Sequence, residues 1–496
     1  MTDIGIEVRT ASGTVRGERA EGLTVFRGIP FAQPPVGALR FAAPQPPQPW
    51  DGVRDAVEFG PAPPQSGPLR ALGAADRTGT EWLTVNVWSP DPGATRLPVL
   101  VWIYGGAYMS GSSGDPLYDA SLIARQGVVV VTFNYRVGAE GFAQLGGAPA
   151  NRGLLDQLAA LHWVQRNIAG FGGDPEQVTL CGQSAGAGSI ATLLTMPLAA
   201  GLFRRAIAQT VPGTYFTPAL AADIAAALAA RLGAAPTAAG LAAIDPQRLA
   251  DEVDLLSSDM PAHADRWGNV ALLFSPVVDG ERVPDVPWRA LKDGRAAGVE
   301  LLAGHTRDEF RLFPVLAGSR GKITEEDAAT ALRIFAPGGE QAYRSRYPHV
   351  SAEDLFELVH SDMMFRMPGL HLAEAHIAAG GTAFLYELCW PSPALGGALG
   401  ACHALDVPLL FGTFSSSGSR MLLGEEEPSA EALTLAAEIR RAWTAFATHG
   451  DPGWPAYRAD QRLTRLLDAD SSTAPYPEEA SRQIWDGHEF DPFDLL

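Results

Sequence analysis

Apolar and polar residues follow two patterns along the chain, one typical of strands and one typical of helices. Short and almost entirely apolar runs predict buried strands at 83–88, 97–104, 128–134, 300–304 and 382–388. Amphipathic segments predict helices at 119–126, 154–168 and 431–448. Because strands and helices alternate, the chain is expected to adopt an α/β fold, in which helices flank a central, mostly parallel sheet.

Segments rich in proline or glycine interrupt this alternation and predict long surface insertions. Residues 26–50 hold too many prolines for a helix, so we expect them to wrap the surface as extended loop. Residues 61–79 form a second such segment. From Thr217, an N-cap before a proline, the chain reads as helical to about residue 265. No linker or repeat divides the sequence, which predicts a single domain over 1–496 with a helical insertion at about 217–265.

The charge balance excludes two classes of partner. Lysine and arginine total 37 against 56 aspartate and glutamate residues, which gives a net charge of −19. So acidic a chain is a poor candidate for binding nucleic acid or an anionic membrane surface. Apolar residues make up 46% of the chain, enough for a large buried core.

The cysteines and the N-terminal segment predict a cytoplasmic location. Only Cys181, Cys389 and Cys402 occur, an odd and sparse set that fits a reducing compartment better than a disulfide framework. The first residues lack the basic and apolar regions of a signal peptide. No run approaches the roughly 18 apolar residues of a membrane span. We therefore expect no membrane association.

A serine flanked by glycines lies where a strand pattern changes into a helix pattern. The apolar run 178–180 is followed by Gly182-Gln-Ser-Ala-Gly186, and 190–194 suits a buried helix. This is the context that a GxSxG nucleophile elbow requires, although a plain glycine-rich turn would show the same short motif. Larger side chains two positions on either side would clash in so tight a turn. The pattern predicts Ser184 as a nucleophile at a helix N-terminus.

A serine nucleophile needs a base and an acid, and chain order restricts the candidates. On such a sheet the order is serine, acid, histidine. His403 follows the serine in a loop of small residues, whereas His371 and His376 fall in a helical run. The acid is expected just beyond the strand at 300–304, where the spacing leaves both Asp308 and Glu309 open.

Acyl transfer also needs hydrogen-bond donors for the developing oxyanion. The N–H group of Ala185 follows the nucleophile and opens the helix. Gly105 and Gly106 follow an apolar strand, where backbone N–H groups can be left free, although a glycine pair also suits a plain turn. The sequence thus offers two converging sets of donors.

Together, these motifs resemble the type B carboxylesterases, the family of the cholinesterases and bacterial p-nitrobenzyl esterases. The likeness spans most of the chain and includes FRGIPFAQPPVG at 26–37, LTVNVW at 83–88, WIYGGAY at 102–108, FNYR at 133–136, NRGLLDQ at 151–157, NIAGFGGDP at 167–175, PVVDG at 276–280 and AWTAFATHGDP at 442–452. The fold that the resemblance implies is the α/β-hydrolase fold.

The resemblance also implies roles for individual residues. It makes Ser184 the nucleophile, His403 the base and Glu309, rather than Asp308, the acid of a catalytic triad. The implied oxyanion hole consists of the N–H groups of three residues, which are Gly106, Ala107 and Ala185. Gly105 would shape that loop.

Several positions depart from the family pattern, and those at the site are the most informative. Gln183 stands where glutamate is common, which removes a negative charge beside the site and weakens the expectation of choline-like substrates. Thr210 and Val211 stand where Ser-Gly is usual; Thr210 keeps a hydroxyl, and Val211 is expected to narrow the wall of the site. Glu140 replaces an apolar residue and is expected to occupy a solvated loop.

The resulting hypothesis is a serine carboxylesterase that hydrolyses small-molecule esters through an acyl-enzyme. The alternatives are the same triad acting on carbamates, amides or thioesters, and a non-catalytic adhesion protein of this family, against which the intact triad argues. We expect no cofactor and no metal, since no HExxH motif or zinc-type cysteine spacing occurs. A monomer is expected, with 61–79 and the helical insertion at the entrance of the site.

Overall fold

The computed structural model describes residues 3–67 and 79–496, and its strands form one sheet. The strands are β1 (Asp3–Arg9), β2 (Thr14–Ala20), β3 (Leu23–Pro30), β4 (Val53–Asp55), β5 (Thr84–Ser89), β6 (Leu97–Ile103), β7 (Val129–Phe133), β8 (Gly173–Gln183), β9 (Arg205–Gln209), β10 (Glu300–Thr306), β11 (Thr382–Leu388), β12 (Leu463–Leu467) and β13 (Ser472–Pro475). The five strands predicted from apolar runs are all present.

The sheet is parallel in its centre and antiparallel at both ends. Its spatial order is β1-β2-β3-β5-β7-β6-β8-β9-β10-β11-β12-β13, and β4 pairs with β2. The strands from β7 to β12 in this order run parallel, and the pairs at either end are antiparallel. The C-terminal ends of the parallel strands therefore meet at one edge, where ligands bind in open α/β sheets.

Helices connect and cover these strands. They are α1 (Ser121–Ala124), α2 (Gly138–Phe142), α3 (Arg152–Asn167), α4 (Ala185–Leu193), α5 (Pro218–Arg231), α6 (Ala238–Leu241), α7 (Pro246–Ser258), α8 (Ala264–Trp267), α9 (Pro287–Ala290), α10 (Leu312–Leu316), α11 (Glu325–Phe335), α12 (Gly339–Arg346), α13 (Ala352–Ser361), α14 (Met367–Ala378), α15 (Asp406–Phe411), α16 (Ser417–Leu423), α17 (Ala430–His449) and α18 (Glu479–Ile484). Within residues 3–67 and 79–496, no helix is both long and apolar enough to traverse a bilayer.

The predicted fold class is confirmed, with one local correction. The large, mostly parallel sheet flanked by helices is that of an α/β-hydrolase. The prediction that all of 26–50 forms surface loop was wrong for its first part, because β3 is a core strand in which Phe26 and Ile29 are fully buried. Pro30 is the last residue of β3, a position where a missing N–H group interrupts little of the pairing.

The stretch predicted as a helical insertion consists of α5, α6, α7, a short 3₁₀ turn and α8. Its first helix begins as expected, because the Thr217 hydroxyl accepts a hydrogen bond from the Leu220 N–H group. Of the predicted loop at 61–79, residues 68–78 lie outside the described residues. Within the described part of this loop, residues 62–65 line the cavity that contains Ser184.

The expectation of a solvated Glu140 was wrong. Its side chain is 3% exposed, and its Oε1 atom accepts hydrogen bonds from Nε and Nη2 of Arg40 at 2.9 and 2.6 Å. Nη1 of Arg40 donates to the backbone carbonyls of Ala242 and Ile244 in the helical insertion. A buried carboxylate is tolerated here because a buried guanidinium neutralises it, and the pair joins α2 to the insertion.

We expect Glu140→Ala to lower the free energy of unfolding by about 3–5 kcal/mol, because it leaves the Arg40 charge buried without a partner. The midpoint of urea-induced unfolding measures this loss. Replacing both residues, as Arg40→Met with Glu140→Leu, should recover most of it, since no charge is then left unpaired. Asp460→Asn, which breaks the exposed pair with Arg458, is the control and should not move the midpoint. Equal effects of Glu140→Ala and the control would contradict the expectation.

Candidate active site

Ser184 lies in a strained turn between β8 and α4. Its backbone angles are φ 55° and ψ −124°, a conformation that L-residues rarely adopt. A Cβ atom at Gly186 would lie 2.0 Å from the Ile103 carbonyl oxygen, and one at Gly182 would lie 2.7 Å from the same atom. Only glycine fits at these two positions, so the residues flanking the serine are required for the turn to pass beside β6.

The serine, a histidine and a glutamate form a chain of short contacts. His403 Nε2 lies 3.0 Å from Ser184 Oγ, and His403 Nδ1 lies 2.6 Å from Glu309 Oε2. The three side chains come from the end of β8, the loop before α15 and the turn after β10. The parallel order of β8, β9 and β10 brings these loops to one edge of the sheet. The structure thus brings together Ser184, Glu309 and His403.

Glu309 is held in its ionised form. The carboxyl is fully buried, and its Oε1 atom accepts hydrogen bonds from the Thr210 hydroxyl at 2.6 Å and the Thr306 N–H group at 2.7 Å. Burial by itself raises the pKa of Glu309, but the adjacent His403 and these two donors outweigh it and lower the pKa below its ordinary value. A buried negative charge therefore persists behind the imidazole.

The neighbouring carboxylate has a different environment. Asp308 accepts a hydrogen bond from the Ala401 N–H group at 2.9 Å and pairs with Arg307 and Arg311 at 3.2 and 3.4 Å. It therefore braces the loop that carries His403 without contacting the imidazole.

Gln183 places a neutral amide beside the histidine. Its Nε2 atom lies 3.2 Å from His403 Nε2, the ring nitrogen that also faces Ser184. The side chain is 5% exposed and lines the same cavity as the serine. A neutral group therefore occupies the position where the family commonly carries a carboxylate.

Several backbone N–H groups near the serine have no acceptor among the described residues, and those of Gly106, Ala107 and Ala185 are among them. Gly106 and Ala107 have φ values of 113° and 56°, so this segment departs from extended backbone. A Cβ atom at Gly105 would lie 2.8 Å from the Gln183 carbonyl oxygen. The glycine thus permits the loop to approach the turn that carries Ser184, and all these residues line one cavity.

A mostly apolar cavity of about 570 Å³ opens onto Ser184. Pro63, Pro64, Gln247, Ala271 and Leu272 contribute to its wall, together with side chains of the sheet edge. The ionisable side chains that line it are Asp115, Tyr108, Tyr118 and His403. The cavity is large enough for a small organic molecule, and within residues 3–67 and 79–496 no lysine or arginine lines it. Within 3–67 and 79–496, no three His, Cys, Asp or Glu side chains are grouped so as to hold a metal ion.

A π-helical turn brings an aromatic ring against the histidine. Between α13 and α14, residues Asp362–Arg366 form this turn, and the Phe365 ring stacks on His403 with a centroid distance of 4.6 Å. Pro368 lacks an N–H group, and the Met364 carbonyl instead accepts a hydrogen bond from Gly213 at 2.8 Å. Such turns are frequent at functional sites.

The expectation for Val211 was wrong, and two site residues were missed. Val211 is fully buried outside the cavity lining, where Pro212 and Thr214 are found instead. Asp115 and Phe365 line the cavity, although the sequence reading did not select them. Asp115 precedes a proline after several small residues, which signals a turn but says nothing about a cavity. Phe365 lies in a π turn, and no residue pattern considered in the sequence distinguishes such a turn from the helices on either side.

Known proteins match this chain over almost its whole length. A family model described as the carboxylesterase family matches residues 5–484. The chain is 38% identical to para-nitrobenzyl esterase of Bacillus subtilis strain 168 over 491 residues, which cover 96% of this chain and 97% of that protein. It is 30% identical to cholinesterase of Mus musculus, with 94% and 83% covered. Among solved structures, a carboxylesterase of Geobacillus stearothermophilus has a TM-score of 0.86 at 34% identity, with 97% and 100% covered.

Proposed function

This chain is a carboxylic ester hydrolase that belongs to the carboxylesterase family, and we propose that it cleaves small-molecule esters through an acyl-enzyme formed on Ser184. The observation that carries the proposal is the chain of contacts from Ser184 Oγ through the His403 ring to the ionised Glu309, at 3.0 and 2.6 Å. A hydroxyl, a base and an anion in this order are what activation of a serine requires.

In the acylation step, Oγ of Ser184 attacks the ester carbonyl carbon while His403 Nε2 takes the hydroxyl proton. Negative charge develops on the carbonyl oxygen, which accepts hydrogen bonds from the free N–H groups of Gly106, Ala107 and Ala185. When the tetrahedral intermediate collapses, the bond to the alcohol oxygen breaks and that oxygen takes the proton from Nε2. The products of this step are the free alcohol and an ester of Ser184.

Deacylation repeats these steps with water. His403 Nε2 takes a proton from the water whose oxygen attacks the acyl carbon, and it returns that proton to Ser184 Oγ as the carboxylic acid leaves. Throughout, the buried charge of Glu309 stabilises the imidazolium and holds its Nδ1 proton. The Thr210 hydroxyl fixes the Glu309 carboxylate, and the amide of Gln183 flanks Nε2 without adding a charge.

The relatives support small esters as the substrate class. Para-nitrobenzyl esterase matches almost the whole chain, and a fumonisin B1 esterase from Sphingopyxis macrogoltabida is 34% identical over 474 residues. The mostly apolar cavity fits an uncharged acyl or aryl group, because burying such a group removes apolar surface from water. We therefore choose p-nitrophenyl and p-nitrobenzyl esters of short acids as test substrates.

Covalent trapping tests the acyl-enzyme directly. A fluorophosphonate should label the purified protein at one adduct per chain, and peptide mass spectrometry should locate the adduct on Ser184, because only an activated serine displaces fluoride rapidly. Hydrolysis of p-nitrophenyl butyrate should fall in proportion to labelling. The p-nitroanilide of the same acid is the control substrate and should be cleaved more slowly than the ester. Labelling elsewhere, or full activity after labelling of Ser184, would contradict the proposal.

A further inference from the structure

Asp115 contributes a carboxylate to the wall of the substrate cavity, and no cationic side chain of the described residues pairs with it. Its Oδ1 atom accepts a hydrogen bond from the Leu117 N–H group at 2.8 Å. Within the described part of the chain, no lysine, arginine or histidine forms an ion pair with it. Burial raises the pKa of Asp115 to about 6, and the Leu117 N–H group opposes this rise only in part. At neutral pH the carboxylate is therefore mostly ionised, and no side chain in the described part of the chain neutralises its charge.

An aromatic ring lies beside this carboxylate. Tyr118 lines the same cavity, and its ring packs against Trp102, Tyr104 and Phe411 with centroid distances of 5.5, 6.3 and 5.6 Å. The Tyr118 N–H group donates to the Asp115 carbonyl at 2.9 Å, so the two residues are neighbours in one turn. Burial raises the pKa of Tyr118, and the charge of Asp115 raises it further. A carboxylate next to a fixed aromatic ring attracts an organic cation through both its charge and the ring quadrupole.

We propose that Asp115 and Tyr118 form a cation subsite of the ester-binding cavity, so that esters carrying an ammonium group are preferred over neutral esters of the same shape. This inference depends on the proposed function, since it concerns the substrates of the same cavity. Gln183 carries no negative charge beside His403, but Asp115 carries one at a different point of the cavity wall. The cation of a substrate would therefore lie beside Asp115 and not beside His403.

The same chain offers a matched control for a purely structural role of Asp115. Asp119 makes the same local contact, because its Oδ1 atom accepts a hydrogen bond from the N–H group of Ser121 at 2.9 Å. It is exposed and does not line the cavity. Asparagine retains the acceptor oxygen at either position and removes only the charge. Any effect that is specific to Asp115→Asn therefore reports the charge in the cavity.

The test compares ester pairs that differ only in charge. In the first pair, an ethyl butyrate carries a trimethylammonium or a tert-butyl group at the end of its alcohol; in the second, a p-nitrophenyl ester carries the same groups at the end of its acyl chain. The ratio of kcat/KM for the cationic ester to that for the neutral ester should fall at least about tenfold in Asp115→Asn for one pair or both. Asp119→Asn should change the ratio by less than about twofold.

A pH series separates charge from polarity. The trimethylammonium group does not titrate. Ionisation of His403 lowers kcat/KM for the cationic and the neutral ester alike, so it does not change the ratio of the two values at any pH. Helices α15 and α16 pack against the turn that carries Asp115. Their ionisable groups are Asp406, buried against Gln209 and Tyr386, and Arg420, paired with Glu425. Asp406, Arg420 and the exposed Asp119 do not line the cavity. Tyr108 and Tyr118 do line it, but they stay neutral because burial raises their pKa. Because the pKa of Asp115 is about 6, the preference should be nearly full above about pH 7, half lost near pH 6 and mostly lost below about pH 5.

The outcomes separate this inference from the function it depends on. If the wild-type protein hydrolyses none of the esters, the proposed function fails. If it hydrolyses them, but Asp115→Asn lowers kcat/KM equally for the cationic and the neutral ester of both pairs, Asp115 is a structural residue and the subsite is wrong. A fall in the ratio for Asp115→Asn and not for Asp119→Asn supports the subsite.

Discussion

Ser184→Ala is expected to lower kcat for p-nitrophenyl butyrate by about 10⁶-fold, the order found when a catalytic serine is removed from a triad. The Ser184 hydroxyl contacts only the His403 ring among the described residues, and alanine keeps the Cβ atom that the turn accommodates. The melting temperature should therefore stay close to that of the wild type. Steady-state hydrolysis and differential scanning calorimetry measure the two quantities on the same preparation.

Ser189→Ala is the matched control for this substitution. The Ser189 hydroxyl is also buried, and it donates to the Ala185 carbonyl at 2.9 Å and accepts from Gln157 at 3.0 Å. Its loss should cost stability, about 1 kcal/mol for a buried hydrogen bond, while hydrolysis continues. Ser184 is not the nucleophile if Ser184→Ala keeps more than about one hundredth of the wild-type activity and a fluorophosphonate does not abolish this remaining activity.

Glu309→Gln is expected to lower kcat by about 10⁴-fold with little change in KM. A neutral amide at this position cannot stabilise the imidazolium, and an amide NH₂ group facing Nδ1 would favour the wrong tautomer of His403. The Thr210 hydroxyl and Thr306 N–H group can still donate to the amide oxygen, so the fold should persist. The measurement is kcat and KM on p-nitrophenyl butyrate.

Asp308→Asn is the control, because it changes the adjacent carboxylate that braces the His403 loop. It should keep kcat within about tenfold of the wild type, since its amide oxygen can still accept from the Ala401 N–H group. A larger loss for Asp308→Asn than for Glu309→Gln would exchange the two assignments and restore the alternative that spacing alone left open.

The fold class was predictable because the central strands are buried on both faces. Strands such as β6 and β7 are apolar along almost their whole length, as expected for strands covered on both faces. Strand β3 was not predicted, because it runs directly into a proline-rich segment whose pattern is typical of extended surface loop. Its burial is set by pairing with β5, which lies more than fifty residues later.

The site was predictable where chemistry fixes the order of residues, and not where distant segments meet. The order of serine, acid and histidine led to Ser184 and His403, and the family resemblance chose Glu309; these roles stay predictions until the substitutions are made. The burial of Glu140 depends on Arg40, exactly one hundred residues earlier in the chain. The place of Asp115 in the cavity likewise depends on packing with α15 and α16. No local pattern encodes either contact.

The π turn at Asp362–Arg366 makes the shape of the cavity depend on chain length as well as on side-chain identity. Removing one residue there would restore α-helical spacing and rotate α13 by about 100° relative to α14. Tyr343 and Ser481 hold Asp362 at 2.8 and 2.5 Å, so such a rotation would have to break these contacts or displace Phe365 from the His403 ring. Insertion or deletion of a single residue is therefore a route by which an enzyme of this architecture could acquire new substrates while its sheet stays unchanged.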